Sequence, residues 1–219
     1  MSAKYPRTPH LPYSPGCTFD DRRIISVESF LNTPIVLTEK MDGSNVCLEC
    51  DACFARSHSS VLRHPSFDAF KAFHAVVKSR IGEGIQIFGE WLYARHSIFY
   101  DTLPAYFMAF GVRDVKSGQW GSWEEVELWA DELGVVSVPV LDLVDGIEND
   151  RQLRNLIETH ACMSSRFGNQ REGVVVRVAG GFLDSEFEKS ISKWVRANHV
   201  QSDKHWKRQA IVKNILKIV

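Results

Sequence analysis

Eight residues constrain this chain most, Thr38-Glu39-Lys40-Met41-Asp42-Gly43-Ser44-Asn45. An apolar, β-branched run, Ile35-Val36-Leu37, leads into them, and Val46-Cys47-Leu48-Glu49-Cys50 leads out. The pattern predicts strand, tight turn, strand, with Asp-Gly at the turn. A lysine at the end of a buried strand is costly to desolvate unless it is paired or used. Burial and neighbouring cations lower its pKa, and the free amine is then a nucleophile. The same octapeptide also fits an edge-strand lysine beside an ordinary hairpin.

Further runs supply the rest of a sheet-rich domain. Ile85 to Leu92 alternates and carries Glu90 just past Gly89; the glycine permits close approach of a ligand to a carboxylate at the strand end. Ala105 to Val112 is another strand, with Phe107 assigned to the core. Val135 to Leu141 is interrupted by Pro139 and therefore belongs at an edge. Glu172-Gly173 opens Val174 to Val178, a run too apolar to be solvated on both faces. Among the helices, Ser66 caps one whose Phe67, Phe70, Phe73, Val76 and Val77 recur at helical spacing, with His74 on its flank. Ser122 and Glu125 form a capping box that opens a second, closed by Gly134. A third runs around Leu153, Leu156, Ile157 and His160. Residues 5–23 are proline-rich and irregular, suited to lie as an ordered strap across the body.

Composition matters mainly through where charge lies. The net charge is −1 over 219 residues, but Lys189 to Val219 holds eight Lys/Arg against one acid, leaving −8 for the residues before it. A basic segment on an acidic body points to local contact with a polyanion, or else to one solvated helix face. No run reaches the length that a bilayer span needs, and no apolar signal core stands at the N-terminus. Five cysteines, an odd number in a chain with room for a core, suit reduced thiols and a cytoplasmic protein.

Lys40-Met41-Asp42-Gly43 resembles the nucleotidyl-acceptor motif of covalent nucleotidyltransferases, the superfamily of DNA and RNA ligases and mRNA capping enzymes. Phe88-Gly89-Glu90, Tyr106 to Val112, Glu172 to Arg177 and Lys193-Trp194-Val195-Arg196 match that superfamily's later motifs in order. Gly43-Ser44-Asn45 is similar to the branch of ATP-dependent RNA ligases. The resemblance implies an α+β nucleotidyltransferase fold, the ligase adenylation domain, with antiparallel sheets flanked by helices. It implies one such domain over 1–219, with the strap at 1–23 and no separate oligonucleotide-binding domain. The stripe Trp206, Ala210, Ile211, Ile215 and Ile218 predicts a basic helix at 197–219.

The implied chemistry has three steps. Lys40 attacks the α-phosphorus of ATP and becomes adenylated; AMP passes to a 5′-phosphate end; a 3′-hydroxyl displaces it. The implied catalytic residues are Lys40, Asp42, Glu172 and Lys193. The implied nucleotide-binding residues are Glu39, Lys40, Asn45, Arg56, Glu90, Phe110, Glu172, Lys193 and Arg196, with Phe110 stacked on the purine and Glu90 on the ribose. Glu172 is the implied ligand of Mg2+ or Mn2+. Where many relatives carry Lys-x-Lys, this chain has Val195 and then Arg196, which points away from Lys193 unless the strand ends between them. The implied partner is RNA with 5′-phosphate and 3′-hydroxyl ends, held by the basic segment or by a partner protein. Two other readings stand beside this one: an RNA-binding module that has lost catalysis, and a capping-type transferase that does not seal. Retention of Lys40, Glu90, Glu172 and Lys193 favours the enzyme, and nothing in the residues separates ATP from GTP.

Overall fold

The computed structural model describes residues 4–56, 62–198 and 210–218. Two sheets carry it. The first has four antiparallel strands in the order β11 (Ile191–Val195), β9 (Gly173–Val178), β1 (Ile35–Lys40), β8 (Val140–Val144). The second runs β10 (Phe182–Leu183), β6 (Gln119–Trp120), β5 (Phe107–Asp114), β4 (Ile85–Trp91), β2 (Ser44–Leu48), β3 (Cys53–Ala55), again antiparallel. Short β7 (Val136–Ser137) pairs parallel with β5. Helices α1 (Asp68–Val77), α2 (Trp123–Leu133), α3 (Asp150–Ala161) and the single turn α4 (Phe187–Ser190) complete the α+β arrangement.

The chain crosses between sheets at the octapeptide. β1 belongs to the first sheet and β2 to the second, so the expected hairpin does not form. The groups of the link are satisfied elsewhere. The Asp42 N–H donates to the Tyr100 hydroxyl at 2.8 Å, and the Asp42 carboxylate accepts from the Ser97 and Ile98 amides, both at 2.7 Å. Gly43 has no room for a side chain: a Cβ there would stand 2.7 Å from the Trp91 carbonyl oxygen. Asp-Gly is therefore used where the link passes tightly against the end of β4, not to reverse the chain within one sheet.

Pro139 splits the expected strand 135–141. Its first part becomes β7 on the second sheet, and its second becomes β8, the edge of the first. Proline lacks the N–H that a continuous ladder would need there. The first helix also differs at its ends. A short 3-10 turn, Pro65–Phe67, precedes α1, and the His64 ring, not Ser66, accepts the capping N–H. Val76 is exposed, whereas His74 is buried and its Nε2 sits 2.8 Å from the Glu49 carbonyl oxygen, so the histidine faces inward. The capping box at Ser122, the left-handed Gly134 and the helix over Leu153 and Ile157 form as the sequence predicts.

Three clusters of buried side chains follow from this layout. α1 and α2 pack on the second sheet around Phe70, Trp91 and Phe107. α3 packs on the first sheet around Leu37, Val174 and Val176. Phe88, Trp120, Phe182, Phe187 and Ile191 fill the space between the sheets. Beside that last cluster Arg113 makes two hydrogen bonds to Asp184, at 2.8 and 2.5 Å, and fixes β10 to β5.

The expected C-terminal helix is not helical where it is described. Residues 210–218 are extended, bridged at Lys213 to Ala94 and at Leu216 to Leu103; Trp206, Lys204, Lys207 and Arg208 lie outside the described residues. Asn214 is the pin. Its side chain donates to the Leu92 carbonyl at 2.8 Å and accepts from the Tyr100 amide at 3.0 Å, and it is 1% exposed. Asn214→Ala should cost about 1–3 kcal/mol by denaturant unfolding, because it strands two buried backbone groups.

Candidate active site

The two sheets face each other across a cavity of about 440 Å3, within the usual range for a small-molecule pocket. Register on the first sheet decides which side chains reach it. Thr38 lies opposite Val175, Lys40 opposite Gly173, and Lys193 opposite Val175 on the other side. Directly opposed residues share a face. Thr38, Lys40, Val175, Arg177, Ile191 and Lys193 therefore line the cavity together. Val174 and Val176 point the other way, into the core under α3.

The second sheet contributes from β2, β4 and β5. Asn45 lies opposite Glu90, and both line the cavity. Between β4 and β5 the register shifts: Phe88 opposes Gly111 while Gly89 opposes Ala109. Phe110 is thus the extra residue of a bulge, and bulges re-aim side chains. It turns into the cavity, half-buried, while Phe107 is buried in the core as expected.

Lys40 is the electrostatic centre. Its Nζ stands 2.7 Å from Glu172 Oε1, because Glu172 immediately precedes the Gly173 that lies opposite Lys40. Burial pulls the lysine pKa down, but the Glu172, Glu90 and Asp42 carboxylates outweigh it and hold the pKa above its ordinary value. The expected depression is not found, since the nearest charges are anionic. Lys193 behaves as that expectation had it: burial, then Lys40, lower its pKa.

Glu90 shows the same crowding from the other side. Burial, then the Glu172 and Asp42 carboxylates, push its pKa up to about 8 against the pull of Lys40. Its Oε1 accepts from the Gly43 amide at 3.0 Å, which ties β4 to the link after Lys40. The folded state therefore binds this proton more tightly than the unfolded chain. Stability from that source is full below about pH 4.5 and is lost as pH rises through about 8. Glu90→Gln should flatten this loss: parallel denaturant titrations at pH 6 and pH 9 should show wild type losing more stability than the variant.

A buried acceptor points to a ligand: Asn45 Oδ1 has no hydrogen-bond partner although its residue lines the cavity. Glu39 also borders the cavity, but its side chain shares a face with Val174, away from Lys40. Glu39 Oε2 accepts from the Arg166 amide at 3.0 Å, and Arg171 forms an ion pair with it at 3.6 Å. A buried acceptor left unpaired costs about 1–3 kcal/mol, which donors on a bound molecule would recover.

Of the residues singled out in the sequence, Glu39, Lys40, Asn45, Arg56, Glu90, Phe110 and Lys193 line the cavity. Arg56 is exposed at its rim, just past β3. Glu172 reaches the cavity through its ion pair with Lys40, and Asp42 lies beneath the link, holding the 97–98 amides. Arg196 does not line the cavity. β11 ends at Val195, and the Arg196 amide donates to the Glu172 carbonyl at 3.1 Å. Sequence reading passed over Arg177 and the strap residues Tyr5, Pro6 and Thr8. Arg177 could have been noticed as the lone cation of an apolar strand; it is 3% exposed and its guanidinium binds the Phe110 and Gly121 carbonyls. The strap carried no periodicity that would reveal it.

Residues 33–195 match the model of the RNA ligase family. The chain belongs to that family. No match was found among curated proteins. Solved structures with the same fold include an archaeal ATP-dependent RNA ligase, at a TM-score of 0.58 and 15% identity, covering 90% of this chain and 48% of that one. A Naegleria gruberi RNA ligase mutant with ATP and Mn gives a TM-score of 0.56 at 16% identity, covering 81% of this chain and 54% of that one. This RNA ligase family member thus spans about half the length of those structures. Likeness at such identity shows the fold: the nucleotidyltransferase type, α+β with antiparallel sheets. Among the described residues no helix is long and apolar enough to cross a membrane.

Proposed function

We propose that this protein is an ATP-dependent RNA ligase that works through a covalent adenylate on Lys40. The observation that carries the reading is the Lys40–Glu172 ion pair at 2.7 Å, on the wall of a cavity whose opposite wall holds Glu90, Asn45 and Phe110. One end of the cavity offers aromatic and aliphatic surface for a base, and the other offers cations for phosphates.

In this reading the Lys40 amine attacks the α-phosphorus of ATP. The new bond is N–P, the broken bond is the one to the bridging oxygen, and pyrophosphate leaves with the electron pair. The amine must lose its proton, which the surrounding carboxylates hold in the resting state. Transfer of AMP to the protein should therefore accelerate as pH rises from 6 to 9. The adenylate then passes to a 5′-phosphate of RNA, and a 3′-hydroxyl displaces AMP. Phosphoryl transfer of this kind needs positioning and charge neutralisation above all.

Phe110 stacks on the base, Asn45 and Glu90 hold the ribose, and Glu39 meets the nucleoside through its backbone on the cavity wall. Lys193 neutralises phosphate charge, with Arg56 at the rim where the RNA end arrives. Asp42 positions the link that carries Lys40, and Arg196 acts only through the Glu172 backbone. Burial first, and then the Glu172 carboxylate, lift the Glu90 pKa; Glu172 and Glu90 are carboxylate donors that would hold a Mg2+ or Mn2+ ion. When bound, the metal supplies charge neutralisation at the phosphates. The basic residues of 197–219 are candidates for RNA contact, alone or with a partner protein.

The experiment is incubation with α-labelled ATP or GTP and Mg2+ or Mn2+, followed by addition of RNA with 5′-phosphate and 3′-hydroxyl ends. Label on the protein, chased to the RNA and released as AMP with a sealed product, is the expected result. Label that never leaves the protein for RNA contradicts ligation.

A further inference from the structure

The N-terminal strap is built into the cavity wall. The Lys193 amide donates to the Pro9 carbonyl at 2.9 Å, and the Leu11 amide donates to the Lys193 carbonyl at 2.8 Å. Further along, the Gly16 amide donates to the Val195 carbonyl at 2.8 Å, and the Val195 amide to Ser14 Oγ at 2.9 Å. Leu11 is fully buried, which secures the strap from the core side. The segment runs along β11 as an added edge, and its position is over-determined.

What it delivers is Tyr5. The ring centroid lies 5.1 Å from Phe110, and 5.2, 5.4 and 5.3 Å from Phe88, Trp120 and Phe187. Tyr5 stands nearly perpendicular to Phe110, at 77°. A base stacked on the Phe110 face would therefore not stack on Tyr5 as well. The Tyr5 hydroxyl is hydrogen-bonded to the Thr8 side chain, and burial keeps it un-ionised, its pKa pushed up to about 12. A neutral phenol both donates and accepts. Tyr5, Pro6 and Thr8 share the cavity with Lys40 and Glu90, yet stand at its aromatic end.

We propose that Tyr5 is a base-selecting residue: the strap closes the base end of the nucleotide slot, and the Tyr5 ring and hydroxyl limit which base can stack on Phe110. This rests on the nucleotide-binding reading above. It separates two jobs that share one cavity, since β1 and β9 carry the reacting groups while the strap carries discrimination.

The test uses the full-length protein with ATP and GTP as probes. Binding is measured by calorimetry and label transfer by gel, for wild type, Tyr5→Ala, Tyr5→Leu and Tyr5→Phe. Tyr5→Leu keeps apolar volume and guards against a folding defect in the alanine variant. The expected result is a roughly tenfold weaker ATP affinity for Tyr5→Ala and Tyr5→Leu, as loss of one aromatic contact predicts. The ATP-to-GTP preference should narrow, with the saturated rate of label transfer close to wild type. Tyr5→Phe should keep most of the affinity and shift only the preference. Unchanged affinity and preference in a folded Tyr5→Leu protein overturns the proposal. Tighter ATP binding in Tyr5→Ala overturns it too, because the strap would then be a plug in the base's own place. If wild type binds ATP with this Tyr5 dependence but never becomes labelled, the covalent reading fails and the strap assignment stands.

Discussion

Lys40→Ala should abolish transfer of label from α-labelled ATP to the protein, with the fold intact by circular dichroism. The amine is the group that the strand register sets 2.7 Å from Glu172 at the sheet junction. Removing it leaves Glu172, Glu90 and Asp42 facing one another without their shared cation. An alanine variant alone would therefore confound chemistry with charge. Lys40→Arg keeps the ion pair and is not a nucleophile, since guanidinium does not deprotonate in proteins. Both variants should be unlabelled, and Lys40→Arg should retain wild-type stability. Undiminished label in either would remove Lys40 from the mechanism.

The second large effect separates charge neutralisation from base binding. Glu172→Ala should lower the saturated rate of label transfer by about a hundredfold or more, the scale of losing one electrostatic contributor to a transition state. Saturating ATP should not rescue it. Phe110→Ala should instead raise the KM for ATP, costing about 1–3 kcal/mol of stacking, with the saturated rate nearly preserved. Initial-rate series at several ATP and metal concentrations distinguish these patterns. Identical patterns in the two variants would contradict the division of labour.

How far the sequence could be read depends on whether a feature is local. The buried strand ending in Lys40, the capping box at Ser122 and the core role of Phe107 are local patterns, and each appears in the structure. The link Met41–Gly43 looked like a hairpin because Asp-Gly carries that local signal. Its partners, Ser97, Ile98 and Tyr100, lie more than fifty residues away, and no local pattern names them. Phe110 was found through motif resemblance, but the bulge that aims it is a register property of two strands. The Lys40 pKa was misjudged for the same reason: its direction depends on carboxylates that come together only after β1 pairs with β9 and the sheet holding β4 faces them. Tyr5 was invisible because an irregular, proline-rich segment has no period to betray which side it buries. At the other end, the periodicity of residues 210–218 suggested a helix, and docking along the 93–103 loop through Asn214 overrides it.

The central claim is that one particular nitrogen becomes bonded to AMP. After reaction with ATP and Mg2+ or Mn2+ and no RNA, the protein should be digested under conditions that spare a phosphoramidate, and the peptides mapped by mass spectrometry. The account predicts a single adduct of AMP mass on Lys40, lost on treatment with acid or hydroxylamine. An adduct on Lys193, on any other residue, or on none while RNA is nevertheless sealed would contradict it.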